Sequence, residues 1–94
     1  MIGNLIISKA GHDKSTRYII IKEDNEYVYV ADGRLKTVER PKKKNKKHMQ
    51  PVSQYDTGEI KSKLLQNQAV SNEEIKYVIK QSIKNVKNKE ERNV

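Results

Sequence analysis

The stretch RYIIIKEDNEYVYVADG, Arg17–Gly33, decides the fold class. It opens with RYIIIK, Arg17–Lys22, a run of β-branched and aromatic residues of the kind that suits a pleated sheet. EYVYVA, Glu26–Ala31, alternates, so a strand there carries Tyr27 and Tyr29 on one face and Val28 and Val30 on the other. Between the two lies Glu23-Asp24-Asn25, polar and short enough for a turn. Asp32-Gly33 closes the stretch. That dipeptide is favoured in type I′ hairpins, whose two central residues both need positive φ. Two antiparallel strands and a second hairpin directly after them are predicted.

The same pattern continues outward. On the N-terminal side, Asn4–Ser8 (NLIIS) reads as a short Ile-rich strand. On the C-terminal side, Leu35–Glu39 (LKTVE) alternates and is predicted as the fourth strand. His48–Val52 (HMQPV) is predicted as a last, short edge strand, a place where Pro51 is tolerated. A sheet this small avoids open edges best by curling up. The predicted fold is therefore mainly β: a small five-stranded SH3-like barrel over residues 1–52, followed by a C-terminal helical segment.

The period changes in the second half. Ser53–Thr57 reads as a linker. Gly58–Gln66 (GEIKSKLLQ) sets Ile60 and Leu64 four apart, as a short helix would. Ser71-Asn72-Glu73-Glu74 is a capping box, in which the Ser71 hydroxyl accepts from the Glu74 N–H and Glu74 reaches back. After it, Ile75, Val78, Ile79, Ser82, Ile83 and Val86 form one stripe, which predicts a helix over 72–87 with Lys76, Lys80, Lys84 and Lys87 opposite. Glu90 and Glu91 stand where a helix C-terminus favours cations, so residues 88–94 are expected to fray. Apart from Ser82 the stripe is aliphatic, without Trp or Phe anchors. It favours docking on the barrel, which a small domain needs for core, over a protein partner or a membrane surface.

Composition narrows the function classes. The chain has 94 residues, no cysteine and a net charge of +8. The charge is uneven: residues 1–52 hold 12 Lys+Arg against 6 Asp+Glu, and residues 53–94 hold 8 against 6. A basic domain of this size most often meets nucleic acid. The absence of cysteine excludes disulfides and thiol chemistry and fits a reducing compartment. MIGNLIISKAG offers neither the basic flank nor the apolar run of a secretory leader, and no apolar run approaches a membrane span. A cytoplasmic monomer is expected. There is no glycine-rich phosphate loop and no supported nucleophile–base constellation, and His12 and His48 read as surface histidines. No enzyme, cofactor or metal is expected.

The remaining signal is the run RPKKKNKKHMQP, Arg40–Pro51. Pro41 discourages a helix from Glu39 onward, so a basic loop over residues 40–48 is predicted from which lysines fan out. Polycations gain affinity for nucleic acid by neutralising phosphates, whatever the base sequence. The leading candidates for phosphate contact are Arg40, Lys42, Lys43, Lys44, Lys46 and Lys47, with His48 beside them. Lys9, Lys14 and Arg17 around the first loop come next, with Arg34 and Lys36 around Asp32-Gly33. A charge run also serves as a solvated loop that blunts a sheet edge. Tyr18, Tyr27 and Tyr29 are candidates for base stacking, although in a chain without Phe or Trp they are more needed for packing.

The order of these features resembles a known family. A strand, then SKAGHDKS, RYIIIK, EYVYVADG and LKTVERPKKKNKKHMQP is similar to the KOW-domain RNA-binding proteins. Within them it resembles the small bacterial relatives of a large-subunit ribosomal protein of archaea and eukaryotes. The KOW pattern sets a turn with glycine and Asp-Lys-Gly between two strands. Gly11, Asp13 and Lys14 match it, Ile19 to Ile21 match the strand that follows, and Ser15 stands where the family often has glycine. The resemblance covers about residues 3–52, and SNEEIKYVIKQ resembles the helical tail of these proteins. It implies an SH3-like barrel that binds RNA, ribosomal RNA or the large subunit above all. The alternative is a protein-interaction adaptor that uses the barrel and the tail helix.

Overall fold

A computed structural model of the chain describes residues 1–52 and 55–92, with side chains described as far as residue 84. Five strands form one antiparallel sheet: β1 Leu5–Ser8, β2 Arg17–Glu23, β3 Tyr27–Ala31, β4 Lys42–Asn45 and β5 Met49–Pro51. Their order across the sheet is β4-β3-β2-β1-β5. Two helices follow, α1 Glu59–Leu65 and α2 Asn72–Arg92. Among the described residues no helix is long and apolar enough to cross a membrane.

The expected closed barrel is an open sheet instead. β4 and β5 are its two edges, and no ladder joins them among the described residues. A single 3-10 turn, Lys46–His48, connects the two edges. The four steps from Asn45 to Met49 span at most about 14 Å of extended chain. The outer strands of a flat five-stranded sheet lie roughly 19 Å apart, at about 4.8 Å per step. The sheet must therefore curl. A bulge helps it do so: pairing with β3 slips between Ile20 and Lys22, and an extra residue bends and twists its strand. The edges are blunted rather than sealed. β4 is the charged sequence KKKN, and β5 is three residues ending in Pro51.

The fourth strand is displaced from its expected place. Leu35–Glu39 lies in the β3–β4 connection, residues 32–41, and the run expected as a basic loop supplies β4. The backbone groups of 32–41 are used elsewhere. Asp32 Oδ1 accepts from the N–H groups of Arg34 and Lys36. The N–H groups of Asp32 and Gly33 both donate to the Lys36 carbonyl. The Val38 N–H donates to Asn72 Oδ1 at the start of α2, and Asn72 Nδ2 donates to Glu39. Asp32-Gly33 thus opens a wide loop, not a two-residue hairpin. Gly33 has φ +78, and a Cβ there would run into the Asn72 carbonyl, so glycine permits both the turn and the close approach of α2.

The two faces of the sheet bury separate clusters. Ile6, Tyr18, Ile20, Val28, Val30 and Met49 fill the inside of the curl. Leu5 and Ile19 face the other way and pack with Ile60 of α1, Val70 of the α1–α2 connection and Ile75 of α2. The tail is therefore part of the core. Thr57, at the end of the expected linker, is buried and donates to the Gly3 carbonyl at 2.7 Å; Ser53 and Gln54 lie outside the described residues.

The start of α2 is set as the sequence predicts, but its end is not: the helix runs on to Arg92, through most of the segment expected to fray, because the turn-by-turn backbone bonds continue past Lys87 despite Glu90 and Glu91. The Ser71–Glu74 box forms in both directions. α1 stops at Asn67, φ +58, where the Asn67 N–H donates to the Leu64 carbonyl and the Gln68 N–H to the Lys63 carbonyl. That is a Schellman ending with Asn in the left-handed position. α2 docks through Ile75 and Ser82, both buried, while Ile83, next to Ser82 on the helix, is 41% exposed. The side chains of Val86, Lys87 and the segment expected to fray lie outside the described set.

Candidate nucleic-acid interface

Strand parity sorts the lysines of β4. Tyr27 pairs with Asn45, Val28 with Lys44, Tyr29 with Lys43 and Val30 with Lys42. Lys42 and Lys44 therefore share the inner face with Val28 and Val30, and Lys43 shares the outer face with the tyrosines. Lys44 is only 7% exposed.

The inner lysines converge on one carboxylate. Asp13 Oδ2 accepts from Lys42 Nζ at 2.7 Å and from the Tyr18 hydroxyl at 2.9 Å. Its Oδ1 accepts from Ser8 Oγ at 2.9 Å and from Lys44 Nζ at 3.4 Å. Burial alone would raise the Asp13 pKa. The bonds from Lys42, Tyr18 and Ser8, with the charge of Lys44, outweigh burial and hold it well below the usual carboxylate range. Burial, and then the bond to Asp13, push the Tyr18 hydroxyl above its ordinary value. Asp13 thus ties the β1–β2 loop to the far edge of the sheet across the mouth of the curl.

The loop that carries Asp13 is tightly turned. Gly11 has φ +84, and its carbonyl accepts from the Lys14 N–H. Ser15 has φ +76, the left-handed region that favours glycine, and its N–H donates to the Ser8 carbonyl. The position where the KOW pattern often has glycine is thus one whose backbone calls for it.

The outer face is different in kind. Lys43 Nζ sits 4.2 Å from the centre of the Tyr27 ring, and Lys22 Nζ sits 5.4 Å from that of Tyr29. Both rings are half-buried, each with a cation beside it. α1 and α2 cover this face around Leu5 and Ile19.

The other predicted contacts fall in separate places. Lys47 and His48 are exposed on the 3-10 turn, and the Lys9 N–H donates to the His48 carbonyl, which brings exposed Lys9 alongside. Lys46 pairs with Glu23 at 3.3 Å. Arg40, Lys36 and Lys14 are exposed on loops. Arg17 and Arg34 line one groove with α2. The candidate residues do not form one face, and Lys42 and Lys44 are committed to Asp13. Sequence reasoning missed this counter-ion role of Asp13; the i, i+2 spacing of Lys42 and Lys44 was its available signal. It also passed over Lys22, Lys76 and Lys80 as site residues.

No family model matches this chain, and no curated protein matches it significantly.

Proposed function

We propose that the chain is a non-enzymatic RNA-binding protein of the KOW type, with ribosomal RNA or the large ribosomal subunit as its target and its curled sheet a variant of the SH3-like barrel. The observation that carries the reading is the outer face of β3 and β4, where Lys43 lies over Tyr27 and Lys22 over Tyr29. Aromatic rings beside lysines suit unpaired bases and their phosphates together. Lys47, His48 and Arg40, exposed at either end of β4, extend that positive surface. The net charge of +8 and the resemblance of residues 3–52 point the same way. The three-residue link between the two sheet edges supports the barrel-like reading, since it forces the curl.

Phosphate contacts supply the affinity, and RNA shape and stacking supply the selectivity. The phosphate-contact set contracts to Arg40, Lys43, Lys47 and their neighbours, because Lys44 is enclosed and Lys42 is paired.

The test is co-sedimentation with ribosomes across a salt series. Wild type is compared with an Arg40→Ala, Lys43→Ala, Lys47→Ala variant that spares the Asp13 pairs. Wild type should travel with the large subunit and leave as salt rises, and the variant should stay behind at salt concentrations where wild type binds. If wild type remains at the top of the gradient at low salt, the ribosome is not its partner. A second reading, a protein-interaction adaptor, draws on the exposed Leu35, Leu65 and Tyr77. It predicts binding to a protein that survives both nuclease treatment and the triple substitution.

A further inference from the structure

A groove of about 600 Å³ runs between α2 and the end of the sheet that carries the β1–β2 loop. Its rim holds Arg17 and Arg34 on one side and Lys76 and Lys80 on the other, with Ile79 and Ile83 of α2 between them. We propose that this groove takes one or two nucleotides of single-stranded RNA, with the four cations on the phosphates and a base face against the two isoleucines. The inference rests on the RNA-binding reading above and extends the interface from the sheet to the tail helix.

Charge complementarity selects the occupant. Four cations border the groove, and one carboxylate, Asp32, lines it. Asp32 is already engaged by two backbone N–H groups of its own loop. Glu73 reaches Lys76 at 2.7 Å from the solvent side. Four cations less these two carboxylates leave a balance of +2. Lys76 and Lys80 sit four apart on one helix, a like-charge spacing that is unfavourable without an anion nearby. Arg17 is held in place from behind: one guanidinium nitrogen donates to Oγ of buried Ser82 at 3.4 Å, and that hydroxyl donates to the Ile79 carbonyl at 2.6 Å. A guanidinium has five N–H donors, so the rest of the fork remains available to a phosphate.

The floor separates RNA from an acidic peptide. An acidic peptide offers carboxylates on flexible stems and no flat apolar surface. A nucleotide joins an anion to a flat apolar face in one unit, and apolar side chains serve as base platforms. The groove joins a cationic rim to an apolar floor in the same way, and its volume lies within the ordinary range for small-ligand clefts, about 300–1,000 Å³. A duplex keeps its bases stacked inside and would leave the isoleucines uncovered, so the strand must be single.

The experiment is an amide NMR titration of the full chain with a uridine decanucleotide and, separately, with a decaglutamate peptide. It is run on wild type, on an Arg34→Glu, Lys80→Glu variant and on Ile83→Glu. All three altered side chains are exposed, and a thermal melt checks that each variant folds. The expected result is that the oligonucleotide shifts the amides of Thr16, Ile79 and Ile83, with affinity falling about tenfold or more in the double variant. Ile83→Glu should weaken the oligonucleotide, and decaglutamate should bind far more weakly. If the oligonucleotide binds but shifts only residues around Tyr27 and Lys43, and the double variant binds like wild type, the groove assignment fails and the RNA reading stands. If decaglutamate moves the same amides at the same midpoint, the occupant is an acidic peptide and the proposal is overturned. If the oligonucleotide does not bind at low salt, the RNA reading and the groove proposal fall together.

Discussion

Lys42 and Lys44 reach inward from β4 to Asp13, whereas Lys43, adjacent to both, lies over the Tyr27 ring on the outer face. The residue type is the same, and the pleat alone assigns the role. Inside, the cations act on the fold: they let a carboxylate sit at the mouth of the curl and hold the β1–β2 loop against the far edge. Outside, the cation is held against an aromatic ring at the surface. The contrast shows why counting positive charges overstates a nucleic-acid site. On the RNA-binding reading, a lysine in a strand reaches a phosphate only if its parity sends it outward.

Removing Asp13 should break the comparison most severely. Asp13→Ala takes the shared acceptor from Lys42, Lys44, Tyr18 and Ser8, and leaves the Lys44 charge enclosed without a partner. Loss of one member of a buried, charge-assisted network costs about 2–4 kcal/mol. Thermal unfolding should shift down by roughly 4–8 °C for each of these. A melting temperature within a degree of wild type would mean that the inner network contributes nothing to the fold.

Acid should reach the same network without mutation. The folded Asp13 pKa is depressed below the unfolded value. Its ionisation therefore stabilises the fold fully above the unfolded value, about 3.9, and that contribution drains as pH falls below it toward the folded value. Wild type should lose stability in chemical denaturation below about pH 4, and Asp13→Ala should show a shallower loss over the same range. Identical profiles would place the acid sensitivity in other carboxylates.

Paired substitutions within β4 sharpen the contrast at smaller amplitude. Lys43→Met removes an exposed cation–aromatic contact worth about 0.5–1 kcal/mol and should weaken RNA binding severalfold. Lys44→Met keeps the volume, leaves Asp13 with Lys42, Tyr18 and Ser8, and should change stability by about 1 kcal/mol in either direction, since exchanging a buried charge for a hydrophobe is often near neutral. It should leave RNA affinity close to wild type. Equal losses of RNA affinity in the two variants would show that parity does not divide fold from function here.

Much of this architecture was legible because its causes are local. The alternation of Tyr27–Ala31, the Ser71–Glu74 box and the stripe at Ile75 each follow from neighbours within a few residues. β4 was not legible. LKTVE has the better strand pattern, and KKKN is poor in β-formers. What decides between them lies far along the chain. Asn72 holds the Val38 N–H from 34 residues away, and Asp13 receives Lys42 and Lys44 from 29 and 31 residues away. Closure failed for a related reason. Apolar patterning shows that a small sheet has edges to manage, and it does not distinguish sealing them from blunting them with Lys and Pro. The candidate site was half legible: Arg40, Lys43 and Lys47 are named from the sequence, Lys22 over Tyr29 is not, and the division of the β4 lysines between inside and outside required the register.

The smallest expected effect probes the loop that presents Asp13. Ser15 holds φ +76, a conformation that costs a non-glycine residue roughly 1–2 kcal/mol. Ser15→Gly relieves that strain. Against this, glycine gives the unfolded chain more freedom, worth about 0.4–1 kcal/mol in the opposite sense. The balance favours glycine by about 0.5–1 kcal/mol, and the Ser15 N–H bond to the Ser8 carbonyl needs only the backbone. A melting temperature raised by a few degrees is expected, and Ser15→Val, β-branched and worse suited to positive φ, should lower it. In Asp13→Ala the gain from Ser15→Gly should persist, because backbone strain belongs to the loop and not to the carboxylate. If the gain vanishes there, it is Asp13 and its lysines that force the loop into its left-handed turn, and the inner face of β4 governs loop conformation as well as loop position.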